Sequence, residues 1–331
     1  MRELRIVGFG SVLVDALAHV TEEFLSGSVS GAKGGMEMIS REDQQKLIAK
    51  LQDYSRSPGG AAGNTIFALA HLGMDVGMFS KVGKDDPAEF YRTRLTETGG
   101  KAFFLETEDA GTGVCVSLVT PDSERTMRSY LGASQLITCE EAEAFDYGQT
   151  DMIYIEGYQL FLPGLVQTVL RRAKSAGCRT AMDLASFEVM KIFRKDVTAL
   201  LEEGLVDMVF ANEEEAAALL DSTGSPEEMA QILGKSCHVA AVKCGAAGSW
   251  ICRDNALTAI AIEPVRAVDT TAAGDTWAAG YLYGYWSGLD DLRAGKIASL
   301  VSAEVVQVTG SEMPEETWSR IRNAVQTIKQ D

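Results

Sequence analysis

The chain has 331 residues, is 46% hydrophobic and carries a formal net charge of -17. That length and apolar share suffice to bury one large core, and the negative field disfavours nucleic acid or an anionic membrane surface as partner, leaving small molecules. No apolar run reaches the roughly 18 residues of a membrane span. The amino-terminal stretch MRELRIVGFGSVLVDALAHV lacks the basic-then-apolar order of a signal peptide, so a cytoplasmic protein is expected. Six cysteines (Cys115, Cys139, Cys178, Cys237, Cys244, Cys252) occur without a CxxC pair or zinc-like spacing. They read as reduced, structural thiols, and the neighbours Cys237 and His238 read as part of a buried strand.

In chain order, RIVGFGSVLVDALAHV predicts a strand pair broken near Gly8 and Gly10, followed by the Gly/Ser-rich excursion SGSVSGAKGGMEMIS and a helix over REDQQKLIAKLQDY. Ser57 to Gly73, SPGGAAGNTIFALAHLG, predicts a Gly-rich turn entering an apolar helix. TGVCVSLVTPDSERTMRSYLG alternates around a Pro121-Asp122 turn and predicts a hairpin. From Asp151 onward, DMIYIEG, CRTAMDL, VDMVFAN and CHVAAVK read as strands. The stretches LPGLVQTVLRRAKSAG and SPEEMAQILGKS read as intervening helices, the first stopped by Gly177. Strands alternating with helices imply a mostly parallel sheet covered on its faces, and the earlier extended pieces form a small second sheet over it.

The chain lacks GxxxxGK[ST], HExxH and GxSxG, and Gly8 and Gly10 lack the third glycine of a dinucleotide fingerprint. The informative stretch is VRAVDTTAAGDTWAAGYLYGYW, Val265 to Trp286. A helix starting near Ala273 leaves the N–H groups of Ala272, Ala273 and Gly274 free to face an anion, with the positive end of the helix dipole behind them. Asp275 would compete for that field unless it accepts a proton from a nucleophile arriving beside the anion, as phosphoryl transfer to a hydroxyl requires. The competing reading makes Asp269 or Thr270 a helix cap and gives Gly280 and Gly284 a packing role.

A second motif decides between them. Gly59, Gly60 and Asn64 fit GGxxxNxxxxxxxLG, and Asp269 to Trp277 fit DTxGAGDxF. Together these resemble the two signatures of the ribokinase-like (PfkB) family of carbohydrate and nucleoside kinases. Ala272 stands where the family has Gly, which is tolerable where φ is negative, and Trp277 stands where it has Phe. Further pieces resemble the family in order. GSVLVD resembles its first strand, so Asp15 would bind sugar hydroxyls, with Ser11 where nucleoside kinases often carry Asn. ANEEE resembles NxxE, so Asn212 and Glu215 would hold the magnesium shell through water. VKCGAAGSW resembles the nucleotide loop TxGxxG, with Lys243 in place of Thr and with Gly245 and Gly248 kept. SERTMRSYLGAS resembles the adenosine-kinase branch, where Arg125 can reach the transferring phosphate; as a plain turn residue Arg125 reads equally well.

The resemblance implies a single domain over residues 1–331 with a three-layer α/β/α ribokinase-like fold, a mostly parallel central sheet and a small β-sheet lid from segments near 12–40 and 101–132. It implies an ATP- and Mg2+-dependent kinase acting on a primary hydroxyl of a small sugar or ribonucleoside, as a monomer or homodimer. Asp275 would be the general base, Ala272, Ala273 and Gly274 the anion hole, and Asp269 and Thr271 a K+ site. A dedicated adenosine kinase is the narrower reading. A non-catalytic sensing relative and a nicotinamide-dependent dehydrogenase are the alternatives from other classes.

Overall fold

The structure, a computed structural model, describes residues 3–122 and 124–330. Ser123, in the turn of the expected hairpin, lies outside the described residues. The chain opens with β1 (Leu4–Phe9), then turns through Gly10 into β2 (Leu13–His19), α1 (Glu22–Ser28), β3 (Met36–Met38), α2 (Arg41–Lys50) and β4 (Ser55–Gly59). After α3 (Ala61–His71) come β5 (Val76–Gly83), α4 (Asp86–Glu97), β6 (Lys101–Thr107), β7 (Thr112–Val119) and β8 (Arg125–Gly132). The regular part follows with α5 (Cys139–Glu143), β9 (Thr150–Glu156), α6 (Leu165–Ser175), β10 (Arg179–Asp183), α7 (Phe187–Glu202), β11 (Met208–Asn212), α8 (Glu213–Leu220) and α9 (Pro226–Leu233). It closes with β12 (Val239–Lys243), β13 (Ser249–Arg253), β14 (Ala256–Ile260), α10 (Ala273–Trp286), α11 (Asp291–Val305) and α12 (Glu315–Gln330).

Nine strands form one sheet in the order β14-β13-β12-β11-β10-β9-β1-β5-β6. It is parallel from β6 to β12 and turns antiparallel only at β13 and β14. Its central strands are apolar on both faces because helices cover both. Along β11 and β12, Met208, Phe210, Val239 and Ala241 pack into the core of one face. The alternate residues Val209, Ala211, Ala240 and Val242 pack into the core of the other. This is the period-2 alternation of a strand with no solvent side.

The small sheet has the order β3-β8-β7-β2-β4 and its own apolar layer, including Ala16, Leu25, Leu47, Val116 and Leu118. The strand pair at the amino terminus is therefore split, β1 entering the large sheet and β2 the small one. Residues 101–107, expected with the small sheet, instead pair in parallel with β5 at the edge of the large sheet. Only after the turn at 108–111 does the chain cross over, which puts β7 and β8 in the small sheet. None of the six cysteines is joined in a disulfide. Cys237 and His238 precede β12, and His238 Nδ1 lies 2.8 Å from Asp254 Oδ1. Among the described residues no cluster of His, Cys, Asp and Glu is grouped to hold a metal, and no helix is long and apolar enough to cross a membrane.

Parallel strands all end on the same edge. The carboxyl ends of β1, β9, β10, β11 and β12 therefore bring Gly10, Glu156, Asp183, Asn212 and Lys243 together, opposite the starts of α3 and α10. In open α/β sheets ligands bind at this edge.

Candidate active site

The turn into α3 needs glycine for steric reasons. Gly60 has φ of 87°, and an added Cβ there would collide with the Ser11 carbonyl. At Gly59 an added Cβ would lie 2.7 Å from Asp15 Oδ2. The missing side chain is what lets the Asp15 carboxylate lie along the β2–β4 pair. Asp15 is pushed up to about 6 by burial, partly opposed by the Arg125 charge. Ser11 is buried, and its hydroxyl accepts from Gln159 Nε2 at 3.1 Å. Beneath it, the Glu156 carboxylate accepts from the N–H groups of Ser11 and Ala62, each at 2.8 Å, and so ties the end of β1 to the start of α3.

One helical turn on, Asn64 Nδ2 donates to Asp275 Oδ2 at 2.8 Å. The two motifs, each open to a bland reading, thus share a side-chain contact. Asp275 lies in the first turn of α10 and caps nothing, because the N-cap position is Ala272 and no side chain caps this helix. Burial and then the neighbouring Asp183 charge push its carboxyl up to about 8. Farther along α10, Gly280 and Gly284 do have the packing role. Added Cβ atoms there would lie 2.6 Å from the Cα atoms of Ala298 and Ala294 on α11.

The helix start differs from expectation in two ways. Ala272 has φ of 60°, in the left-handed region, and not the negative φ that would make an alanine easy there. The Ala273 N–H is consumed by the Thr270 carbonyl at 3.2 Å. Among the described residues the N–H groups of Ala272, Gly274 and Asp275 have no backbone or side-chain acceptor, so the free donors are these three and not Ala272 to Gly274.

Just upstream, Asp269 is saturated with donors. Its Oδ1 accepts from the Thr271 N–H and hydroxyl at 2.9 and 2.7 Å. Its Oδ2 accepts from the Gly310 N–H at 2.8 Å and from Arg125 Nη1 at 3.0 Å. Arg125 also donates to Thr271 Oγ1 and, through Nε and Nη2, to Ser117 Oγ. The guanidinium thereby bridges the small sheet to the loop before α10. Desolvation alone would raise Asp269, but these donors hold it below its usual value. The carboxylate expected to help hold K+ carries an arginine instead.

Beside the helix start lies a cavity of about 340 Å3 lined by Asn212, Glu215, Lys243, Gly245, Gly248, Ala272, Ala273, Gly274 and Asp275. Every residue expected at the nucleotide is on that wall. At Gly248, φ is 93° and an added Cβ would collide with the Ile260 carbonyl, so glycine is required. Asn212 and Glu215 form a reciprocal capping box on α8: each donates a backbone N–H to the other's side chain at 2.8 Å. Asp183 also lines the cavity and pairs with Lys243 at 3.1 Å. Burial first, then the Asp183 charge, push Glu215 up.

Asp183 and Glu156 were missed in the sequence. Their signal was position: each is the acidic last residue of a buried parallel strand, CRTAMDL and DMIYIEG.

Residues 29–318 match the description "pfkB family carbohydrate kinase". The chain belongs to the pfkB family. It is 28% identical over 261 residues to an ATP-dependent ribose-1-phosphate kinase of Halopiger xanaduensis, covering 77% of this chain and 82% of that one. It is 25% identical over 337 residues to an adenosine kinase of Saccharomyces cerevisiae, covering 95% and 98%. The crystal structure of adenosine kinase from Sinorhizobium meliloti superposes with a TM-score of 0.84 at 28% identity, covering 97% of this chain and 99% of that one. This pfkB-family protein is a sugar/nucleoside kinase, an ATP-using phosphotransferase with the ribokinase-like α/β fold.

Proposed function

We propose that the enzyme transfers the γ-phosphoryl group of ATP to a primary hydroxyl of a ribonucleoside or small furanose sugar, with Asp275 as general base. The observation that carries this reading is the half-buried Asp275 carboxylate, joined to Asn64 and placed beside helix N–H groups that have no acceptor among the described residues. The acceptor lies between the small sheet, acting as a lid, and the carboxyl edge of the large sheet. Asp15 receives its vicinal hydroxyls, with Gly59, Gly60 and Asn64 forming the wall and Ser11 setting the floor through Gln159 and Glu156. ATP occupies the cavity beside α10, against Asn212, Lys243, Gly245 and Gly248.

In the reaction the acceptor oxygen bonds to the γ-phosphorus while the bond to the β–γ bridging oxygen breaks. The hydroxyl proton passes to Asp275, and the N–H groups of Ala272, Gly274 and Asp275 hold the equatorial oxygens. Asp275 must be ionised to act, and its high folded pKa means that only part of the free enzyme is poised at neutral pH.

The cavity suits magnesium delivered with the nucleotide. Its donors are hard oxygens, from Asn212 and Glu215, which suit an ion that keeps waters and phosphate oxygens as further ligands. Asn212 and Glu215 would hold its water shell. The cost of charging buried Glu215 falls when a cation arrives. When bound, the ion would neutralise phosphate charge. We read Asp269 as the anchor of Arg125, which closes the lid sheet onto the helix start, and not as a potassium ligand. Its four donors support that choice.

The test is an ATP-consumption screen over ribose, fructose, ribose 1-phosphate, adenosine and other ribonucleosides. Turnover with a furanose or ribonucleoside bearing a free primary hydroxyl supports the reading. Turnover confined to acceptors without vicinal hydroxyls would remove Asp15 and the acceptor class.

A further inference from the structure

Lys243 is the departure that the nucleotide loop makes from its own family pattern, and its surroundings are unusual for a lysine. It is the last residue of β12, with a side chain 12% exposed and its Nζ 3.1 Å from Asp183 Oδ2. An added Cβ on Gly274 would lie 2.9 Å from that Nζ. The ammonium therefore rests against the first turn of α10, and only the missing side chain of Gly274 lets it come so close.

Cations ordinarily avoid this end of a helix, because the unpaired N–H groups already present positive potential. Burial also works against the charge. The charges of Asp183 first and then Glu215 outweigh the burial, so the lysine keeps its proton. Two positive groups, the ammonium and the helix start, are thus held side by side at a cost met by the acids around them. An anion placed between them turns that mutual repulsion into attraction from two directions. The cavity that lets an anion in is lined by both Lys243 and Gly274.

We propose that Lys243 is a catalytic residue of the phosphoryl transfer, its ammonium leaving Asp183 to hold the transferring phosphoryl oxygens beside the Gly274 and Asp275 N–H groups. This rests on the kinase reading given above. Lys243 stays protonated throughout: the phosphoryl group moves from the β–γ bridging oxygen to the acceptor oxygen, and the proton goes to Asp275. The charge it supplies falls on oxygens that ATP has and ADP lacks, so its contribution appears in ATP binding as well as in rate. Asp183 is a positioning residue that holds the ammonium in place before the nucleotide arrives.

The test compares K243M/D183N with D183N, because removing the lysine alone strands a buried carboxylate, whereas the double variant removes the pair as a unit. Kd for ATP and for ADP is measured by calorimetry without acceptor, folding by circular dichroism melting, and transfer by single-turnover quench. K243M/D183N is expected to bind ATP at least about tenfold more weakly than D183N, with ADP affinity changed far less. Its single-turnover rate is expected to fall about 10²–10³-fold, the loss typical of one donor to a developing oxyanion. K243Q, which keeps an N–H donor for Asp183, is a second arm expected to show the same selective loss. If K243M/D183N and K243Q keep the ATP-to-ADP preference and transfer rate of their reference proteins, Lys243 is only the counter-ion of Asp183 and the proposal is overturned. The binding comparison needs no acceptor, so a wrong acceptor class leaves it standing.

Discussion

Asn64 and Asp275, 211 residues apart in the chain, meet through a 2.8 Å hydrogen bond. The contact joins the start of α3 to the start of α10 and fixes the orientation of the carboxylate proposed as base. The capping alternative fails on separate grounds: Ala272 holds the N-cap position of α10, and among the described residues neither Asp269 nor Thr270 caps the helix with its side chain.

That geometry has a stability consequence. In the folded protein burial pushes the Asp275 carboxyl up to about 8, from the ordinary aspartate value of 3.8. The folded state therefore keeps a proton that the unfolded state releases between those values. Asp275 costs nothing below about pH 4 and progressively destabilises the fold as pH rises through about 8. Asp275→Asn is expected to melt higher than wild type at pH 8 and close to it at pH 4. A variant less stable than wild type at pH 8 would mean that the carboxylate is a favourable structural partner.

Ala272 is a strained position. A non-glycine residue in the left-handed region costs about 1–2 kcal/mol, part of which glycine loses again in unfolded-chain entropy. Ala272→Gly is expected to stabilise the protein by about 0.5–1 kcal/mol in denaturant melts. Equal or lower stability would show that the loop from Asp269 to Thr271 imposes the conformation without strain.

The sequence revealed the layers, because buried parallel strands and their helices carry opposite hydrophobic periods, as in VDMVFAN against LPGLVQTVLRRAKSAG. The resemblance to the family's motifs also picks out Asn212, Lys243, Gly245 and Gly248, and the structure brings these four to the wall of one cavity beside α10. Other features depend on where the chain returns in space. Arg125 and Asp269 are 144 residues apart, and nothing in either segment marks the other as partner. The sign of φ at Ala272 depends on the preceding loop docking under Arg125. Lys101–Thr107 has no pattern that separates an edge strand of the large sheet from a strand of the small one.

Arg125 gives a prediction about ions. With its guanidinium on Asp269, turnover at constant ionic strength is expected to be the same in potassium, sodium and tetramethylammonium buffers. Activation by potassium alone would contradict the anchoring role and restore Asp269 and Thr271 as a cation site.

Asp15 gives one about the acceptor. Its folded pKa of about 6 makes the hydroxyl-accepting form grow as pH rises through 6, so acceptor KM should fall over that range. Asp15→Ala should weaken kcat/KM for a ribo acceptor about 10–100-fold, the worth of a hydrogen bond to a charged group, and much less for its deoxyribo analogue. Equal losses for both acceptors would remove Asp15 from hydroxyl recognition.

The central claim is that Asp275 takes the acceptor proton, and single-turnover phosphoryl transfer by Asp275→Asn tests it most directly. The amide is nearly isosteric and can still meet Asn64, so ATP affinity and folding should persist. The transfer rate should fall about 10²–10⁴-fold, as for loss of a positioned base, and the wild-type rise of kcat/KM with pH through about 8 should vanish. A variant that transfers phosphate at near wild-type rate, with the pH rise intact, would contradict the account.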